Sequence, residues 1–178
     1  KIKLKKSNGR ILDIGCALGH FLYWSEPYFS ELYGAEYIDY AINFIKQNKI
    51  KSKKRIHIFK QFMGRFPSNY FDVICAWELL EHVNNPKEYI KEINRILKPG
   101  GKFIASMPNA SSITFRILKD DWEEIMPPNH IYFFSKKFLR YVFAKHHFKN
   151  IKISCASKTE LCPPLGIYAL TAKIFGFP

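Results

Sequence analysis

The chain has 178 residues, 47% of them apolar and 16% aromatic, which suits one domain with a substantial buried core and excludes intrinsic disorder. No uninterrupted apolar run approaches the ~20 residues that cross a bilayer, and the start KIKLKKSNGR has no apolar signal segment behind its charges. The expectation is a soluble, cytoplasmic protein without a transmembrane segment. The net charge of +13, dense at residues 1–6 and 49–55, can attract nucleic acid or another anionic partner, but Lys, Ile, Asn, Phe and Tyr are all abundant and a solvated basic surface is favoured.

In chain order, RILDIG reads as a strand, HFLYWSEPYFS as a helix or broken helix, ELYGAEY as a second strand and IDYAINFIKQNK as a helix. RIHIFKQF is a third strand and FDVICAWE a fourth; NPKEYIKEINRILK is a helix ended by Pro99-Gly100-Gly101. GKFIASMP, SKKFLRYVFAKHH and KNIKISCAS follow as strand, helix and strand, and PPLGIYALTAKIFGFP as a helix or an edge strand. Strands alternating with helices predict an α/β fold: a doubly wound, mainly parallel sheet in three α/β/α layers. Residues 1–178 read as a single domain, and the abrupt apolar end reads as a cut in a slightly longer chain. Cys16, Cys75, Cys155 and Cys162 form no CxxC pair and are expected to be reduced.

In such a sheet the ligand lies beyond the carboxyl ends of the strands, beside the first turn. That turn is ILDIGCALGHFL, residues 11–22. A dinucleotide turn would read GxGxxG, but the three positions hold Gly15, Ala17 and His20, and Asp13 would repel a pyrophosphate. A cationic ligand suits the acid better. S-adenosyl-L-methionine carries an ammonium and a sulfonium, so Asp13 can hold its methionine moiety while Gly15 and Gly19 let the backbone approach. Glu36 ends the second strand about 20 residues after Gly15, where a carboxylate can accept both ribose hydroxyl protons.

These blocks resemble the class I S-adenosylmethionine-dependent methyltransferases. ILDIGCALGHFL is similar to their first motif, GAE at Gly34 to Glu36 to their ribose-binding acid, and FDVICAWELLEHVNNP with INRILKPGGKFIASMPN to their fourth- and fifth-strand blocks. The resemblance runs from Arg10 to Ile153. It implies a Rossmann-like, seven-stranded sheet whose last strands are antiparallel, the seventh being a candidate for loss at the cut end. It also implies a cofactor site lined by Asp13, Gly15, Cys16, Ala17, Gly19, Glu36, Tyr37 and Trp77, and S-adenosyl-L-homocysteine as product. Ala17 stands where the middle glycine is usual. The acid common after strand three is missing from FKQFMGRFP, which leaves Gln61, Phe62 or Met63 to meet the adenine. Within the family, EHV, LKPGG, PN, Trp122 and the His130 to Ser135 block resemble ubiquinone-type and glycan-associated O-methyltransferases, whose acceptors are hydroxyls.

A hydroxyl nucleophile must lose a proton, which calls for a base or a metal. Glu78, Glu81 and His82 sit at i, i+3 and i+4 and would share one face of a helix; His130 follows the insertion after strand five. Three roles are open: capping and loop hydrogen bonds, a catalytic base at His82 or His130, or a metal held by the acids and histidines. No metal is expected, and activity is expected to survive a chelator. Trp122, in the polar stretch DDWEE, is expected to contact the acceptor together with His130. The expected acceptor is a small molecule or a glycan. An RNA 2′-hydroxyl, suggested by the ExxEH run at Glu78, Glu81 and His82 with a later His and by the basic charge, and a non-catalytic cofactor-binding scaffold are the alternatives.

Overall fold

The computed structural model describes residues 8–122, 124–155 and 170–175. Seven strands form one sheet: β1 (Arg10–Ile14), β2 (Glu31–Ala35), β3 (Ile56–Phe59), β4 (Phe71–Trp77), β5 (Leu97–Ser106), β6 (Lys149–Cys155) and β7 (Leu170–Phe175). Their spatial order is β3-β2-β1-β4-β5-β7-β6. Pairings from β3 through β5 are all parallel, whereas β7 runs antiparallel to both β5 and β6. The antiparallel direction thus belongs to β7 alone, and β7 lies inside the sheet rather than at its edge. The chain winds outward from β1 to β3, then returns to start again at β4. Neighbouring β1 and β4 are therefore the switch point at which this architecture opens a ligand crevice.

Strand parity explains the two core layers. Leu12, Ile14, Ile74, Ala76 and Phe103 face one side of the sheet, and Ile11, Val73, Cys75 and Ile104 face the other, because successive side chains of a strand alternate. The first layer packs under helices α3 (Pro86–Ile96) and α5 (Lys136–Lys145) through Ile90, Ile93, Leu139 and Phe143. The second packs under α1 (His20–Ser25) and α2 (Asp39–Lys46) through Leu22 and Ile45. Each fully buried Leu, Ile or Phe of this kind contributes about 1.5–3 kcal/mol.

Local chemistry sets the ends of the elements. Asn85 caps α3 by accepting from the Glu88 N–H, with Pro86 at the first helical position, and Ser135 caps α5 by accepting from Phe138 N–H at 3.2 Å. α3 stops at Ile96, earlier than the Pro-Gly-Gly stop read from the sequence. Residues 97–101 instead begin β5, with the pairing register shifting between Phe71–Leu97 and Val73–Lys102. At Gly101 a Cβ would lie 2.8 Å from the Lys98 carbonyl oxygen, so this irregularity requires glycine.

The basic stretch at 49–55 has partly structural duties. Lys54 Nζ donates to the carbonyls of Glu26 and Phe29 at 2.6 and 2.5 Å, and Ser52 Oγ donates to Glu26 Oε2 at 2.8 Å. Residues 1–6 lie outside the described part. Cys16 and Cys75 are free and buried, while the side chains of Cys155 and Cys162 also lie outside it. Among the described residues no helix is long and apolar enough to cross a membrane.

Candidate active site

The first turn is held against β2 by the acid at the end of that strand. Glu36 Oε2 accepts from Ala17 N–H at 2.8 Å, and its Oε1 accepts from the N–H groups of Tyr37 and Ile38 at 2.7 and 3.0 Å. Gly15 and Gly19 adopt φ of 74° and 80°, the left-handed region that glycine occupies without strain. Ala17 sits there too, at φ 46°, so the alanine is accommodated with backbone strain rather than freely. Gly34 lets the turn approach β2: a Cβ on it would lie 2.7 Å from Cys16 Sγ. The Cys16 thiol is buried there, and burial together with the Asp13 charge pushes its pKa up, so it is an inert packing group.

Asp13 is 1% exposed, and its Oδ1 has no hydrogen-bond partner. Burial, and secondarily the charge of Glu36, raises its carboxyl well above the ordinary range. An acid whose folded-state pKa is raised favours folding while protonated, and that stability is lost as pH rises above its unfolded value near 4. Asp13→Asn is therefore expected to raise the melting midpoint of the ligand-free protein at neutral pH, by about 2–4 °C per kcal/mol for a chain of this size. The same change should weaken cofactor binding. Thermal melts with and without cofactor check both signs, and a lower ligand-free midpoint would show that the carboxylate is structural.

A second group of residues follows β4. Glu78 takes φ 44°, which rules out the helix expected across residues 78–82; the chain turns instead, with His82 N–H donating to the Leu79 carbonyl at 2.9 Å. The turn is closed from outside by the later insertion. N–H groups of Ile131 and Tyr132 donate to the Glu81 carbonyl at 2.8 and 3.2 Å, and Tyr132 Oη donates to the Asn84 carbonyl at 2.9 Å. This brings His130 to His82, their ring centroids 4.7 Å apart. Ligand atoms of Glu81, His82 and His130 all lie within 4.8 Å of one another. Burial pushes the Glu81 carboxyl up to about 9, with the Glu78 charge adding to it, and burial raises Glu78 as well.

Among the described residues, buried side-chain polar atoms without a hydrogen-bond partner occur only on Asp13, Trp77, Glu78 and Glu81. All four belong to the carboxyl-end regions of the adjacent strands β1 and β4. Orphaned polar groups are costly, so their confinement to the switch-point crevice marks the place where a ligand completes the bonding. This donor set is compatible with S-adenosylmethionine, for which Asp13 could take the ammonium, Glu36 the ribose hydroxyls, and Trp77 Nε1–H a further acceptor.

Other expected residues are placed differently. Phe62 is 2% exposed and packs edge-on against Tyr89 in the main core, which leaves the exposed Gln61 and the half-buried Met63 as the accessible side chains of this stretch. Tyr37, beside Glu36, is 57% exposed. Trp122 is 5% exposed, its ring against Phe115 and Phe133, so it packs the insertion from within and does not offer a free face to an acceptor. A further helix, α4 (Ile113–Leu118), lies in that insertion and was not expected from the sequence; Ser112, which caps it by accepting from Phe115 N–H at 3.0 Å, was its available signal. The insertion is pinched at its two ends by a bridge between Asn109 and Phe134.

The family model described as a methyltransferase domain matches residues 2–153. An uncharacterised protein of Methanocaldococcus jannaschii is 30% identical over 127 residues, covering 69% of this chain and 51% of that protein. Ubiquinone biosynthesis O-methyltransferase of Xylella fastidiosa is 30% identical over 118 residues, covering 62% of this chain and 46% of that protein. The chain spans about half the length of these curated relatives. Among solved structures, a Haemonchus contortus phosphoethanolamine N-methyltransferase in complex with phosphomonomethylethanolamine and S-adenosylhomocysteine shares the fold, with TM-score 0.68 and 20% identity over 86% of this chain and 36% of that one.

Proposed function

Because the chain belongs to the class I S-adenosylmethionine-dependent methyltransferases, we propose that it methylates a hydroxyl of a small molecule or glycan. The observation that carries this reading is the placement, at the carboxyl ends of β1, β2 and β4, of a cofactor-type acid pair, Asp13 and Glu36, and of the Glu81–His82 turn to which the insertion brings His130. When bound between Asp13 and Glu36, the cofactor would supply an electrophilic sulfonium methyl for an acceptor oxygen, the sulfur retaining the electron pair of the bond it gives up. Asp13 and Glu36 fix the donor's two ends, so the methyl is presented in one direction. His82 and His130 each present a ring nitrogen to the acceptor side, where the hydroxyl proton must be managed. The insertion from Asn109 to Phe134 has its two ends joined by a bridge and carries His130 to His82 on that side.

The resemblance to ubiquinone-type enzymes favours an oxygen acceptor, and the basic surface leaves RNA as the competing acceptor. Incubation with methyl-labelled cofactor and a panel of phenols, sugar nucleotides and short RNAs tests the reading. Label is expected on a phenolic or sugar hydroxyl. Label on RNA alone would move the acceptor class, and cofactor binding with no transfer to any acceptor would point to a non-catalytic scaffold.

A further inference from the structure

We propose that the outer edge of β3 and the groove beside it form a docking site for an acidic, extended peptide segment of another protein, which adds to the seven-stranded sheet as a further strand. Binding at this edge does not depend on methyl transfer.

The first observation is an open strand edge. β3 ends the sheet, and among the described residues β2 is the only strand paired with it. In a parallel pair the main-chain groups of successive residues point alternately to the two sides of the strand. The register sets Gly34 opposite Ile58, and the Glu36 N–H donates to the Phe59 carbonyl at 2.9 Å. His57 and Phe59 therefore direct their N–H and C=O groups to β2, and Ile56 and Ile58 direct theirs outward. Such a row of outward donors and acceptors is what an added strand pairs with.

The second observation is the surface beside that edge. A cavity of about 570 Å³ is lined by β3, by the residues before it and by the end of α2, among them Ile45, Lys46, Lys53, Arg55, Ile56 and Ile58. Ile45 is buried and the two β3 isoleucines are half-buried, which gives the groove an apolar part, whereas Lys46, Lys53 and Arg55 are exposed. Lys54 is tied to the carbonyls of Glu26 and Phe29. The side chains of Lys46, Lys53 and Arg55 have no hydrogen-bond or ion-pair partner among the described residues. Cations without a counter-charge thus flank open main-chain groups.

Together these observations select the occupant. The cations repel a second copy of the same edge, so they guard it against self-pairing and favour a partner of opposite charge. That partner must bring carboxylates to the cations, apolar side chains to the isoleucines and main-chain groups to β3. An extended segment in which acidic and β-branched residues alternate meets all three needs, because successive side chains of a strand face opposite sides. A nucleic acid meets only the charge. The rings along the groove, His57 and Phe59, are already stacked on Tyr33 and are not open to a base.

A short, fluorescently labelled peptide of alternating valine and glutamate is the probe, titrated into the whole chain. Anisotropy should show saturable binding that weakens with salt, and the amides of Ile56 and Ile58 should exchange more slowly with solvent in the complex. The same peptide N-methylated at alternate residues keeps its charge but loses its pairing donors, so it should bind about 10-fold more weakly or worse. Lys46→Glu combined with Arg55→Glu, both at exposed positions, should weaken binding by about 10-fold while the melting midpoint stays near wild type. Absence of saturable binding, unchanged exchange at Ile56 and Ile58, or equal affinity for the N-methylated peptide would overturn strand addition. Affinity unmoved by the double change would overturn the selection by charge. A short single-stranded RNA bound under conditions where the peptide is not would make the groove a nucleic-acid surface and overturn the assignment too.

Discussion

Glu36→Ala is expected to weaken S-adenosylmethionine binding by about 1.5–3 kcal/mol, the range for charge-assisted hydrogen bonds, which is roughly 10- to 150-fold in dissociation constant. The carboxylate accepts from the N–H groups of Ala17, Tyr37 and Ile38, so alanine removes the clamp on the first turn as well as the acceptor for the ribose hydroxyls. The lost clamp loosens the ligand-free turn, and the lost ribose acceptor falls on the bound state. Ala17, already in the left-handed region at φ 46°, would lose the bond that helps hold it there, and the turn should relax away from the geometry that receives the methionine moiety. Glu36→Gln separates the two contributions, because the amide keeps one acceptor oxygen and the side-chain shape while losing the charge. Calorimetry should place it between wild type and alanine. Unchanged affinity in the alanine variant would remove Glu36 from the cofactor site.

The first turn and the acid after β2 were legible in the sequence because their information is local. Asp13 precedes its turn directly, Gly15 and Gly19 are needed where φ is positive, and Glu36 ends the next strand at a spacing that the winding of the fold dictates. The acceptor half was less legible. Glu78, Glu81 and His82 have helical spacing, yet the left-handed backbone at Glu78 breaks any helix, and a sequence does not announce φ at a glutamate. What assembles the cluster is the contact of Ile131 and Tyr132 with the Glu81 carbonyl, a pairing between distant segments with no periodicity behind it. Trp122 misled for a related reason. Asp120 and Asp121 before it are exposed, but Phe115 and Phe133, from opposite ends of the insertion, meet over its ring and bury it. Phe62, read as an adenine contact from its place after strand three, is likewise drawn into the core by Tyr89.

On the proposed reading the insertion has two separable functions, and His130 and Trp122 should report them differently. His130→Ala removes the ring that faces His82, so turnover should fall by about 100-fold or more, the lower bound typical of a lost proton-transfer group or metal ligand. Cofactor affinity should stay close to wild type, because Asp13 and Glu36 lie on other strands. Trp122→Ala leaves the cluster chemically intact but opens a void among Phe115 and Phe133, loosening the cover that positions the acceptor. Its effect should appear chiefly in the acceptor's Michaelis constant, with a smaller change in turnover, as expected of a residue that acts through others. Steady-state kinetics on the best acceptor from the panel resolves the split. Equal loss of turnover in both variants would mean that His130 serves only to hold the insertion shut through its bond to Glu124. Wild-type rates in both would place the acceptor outside this crevice altogether.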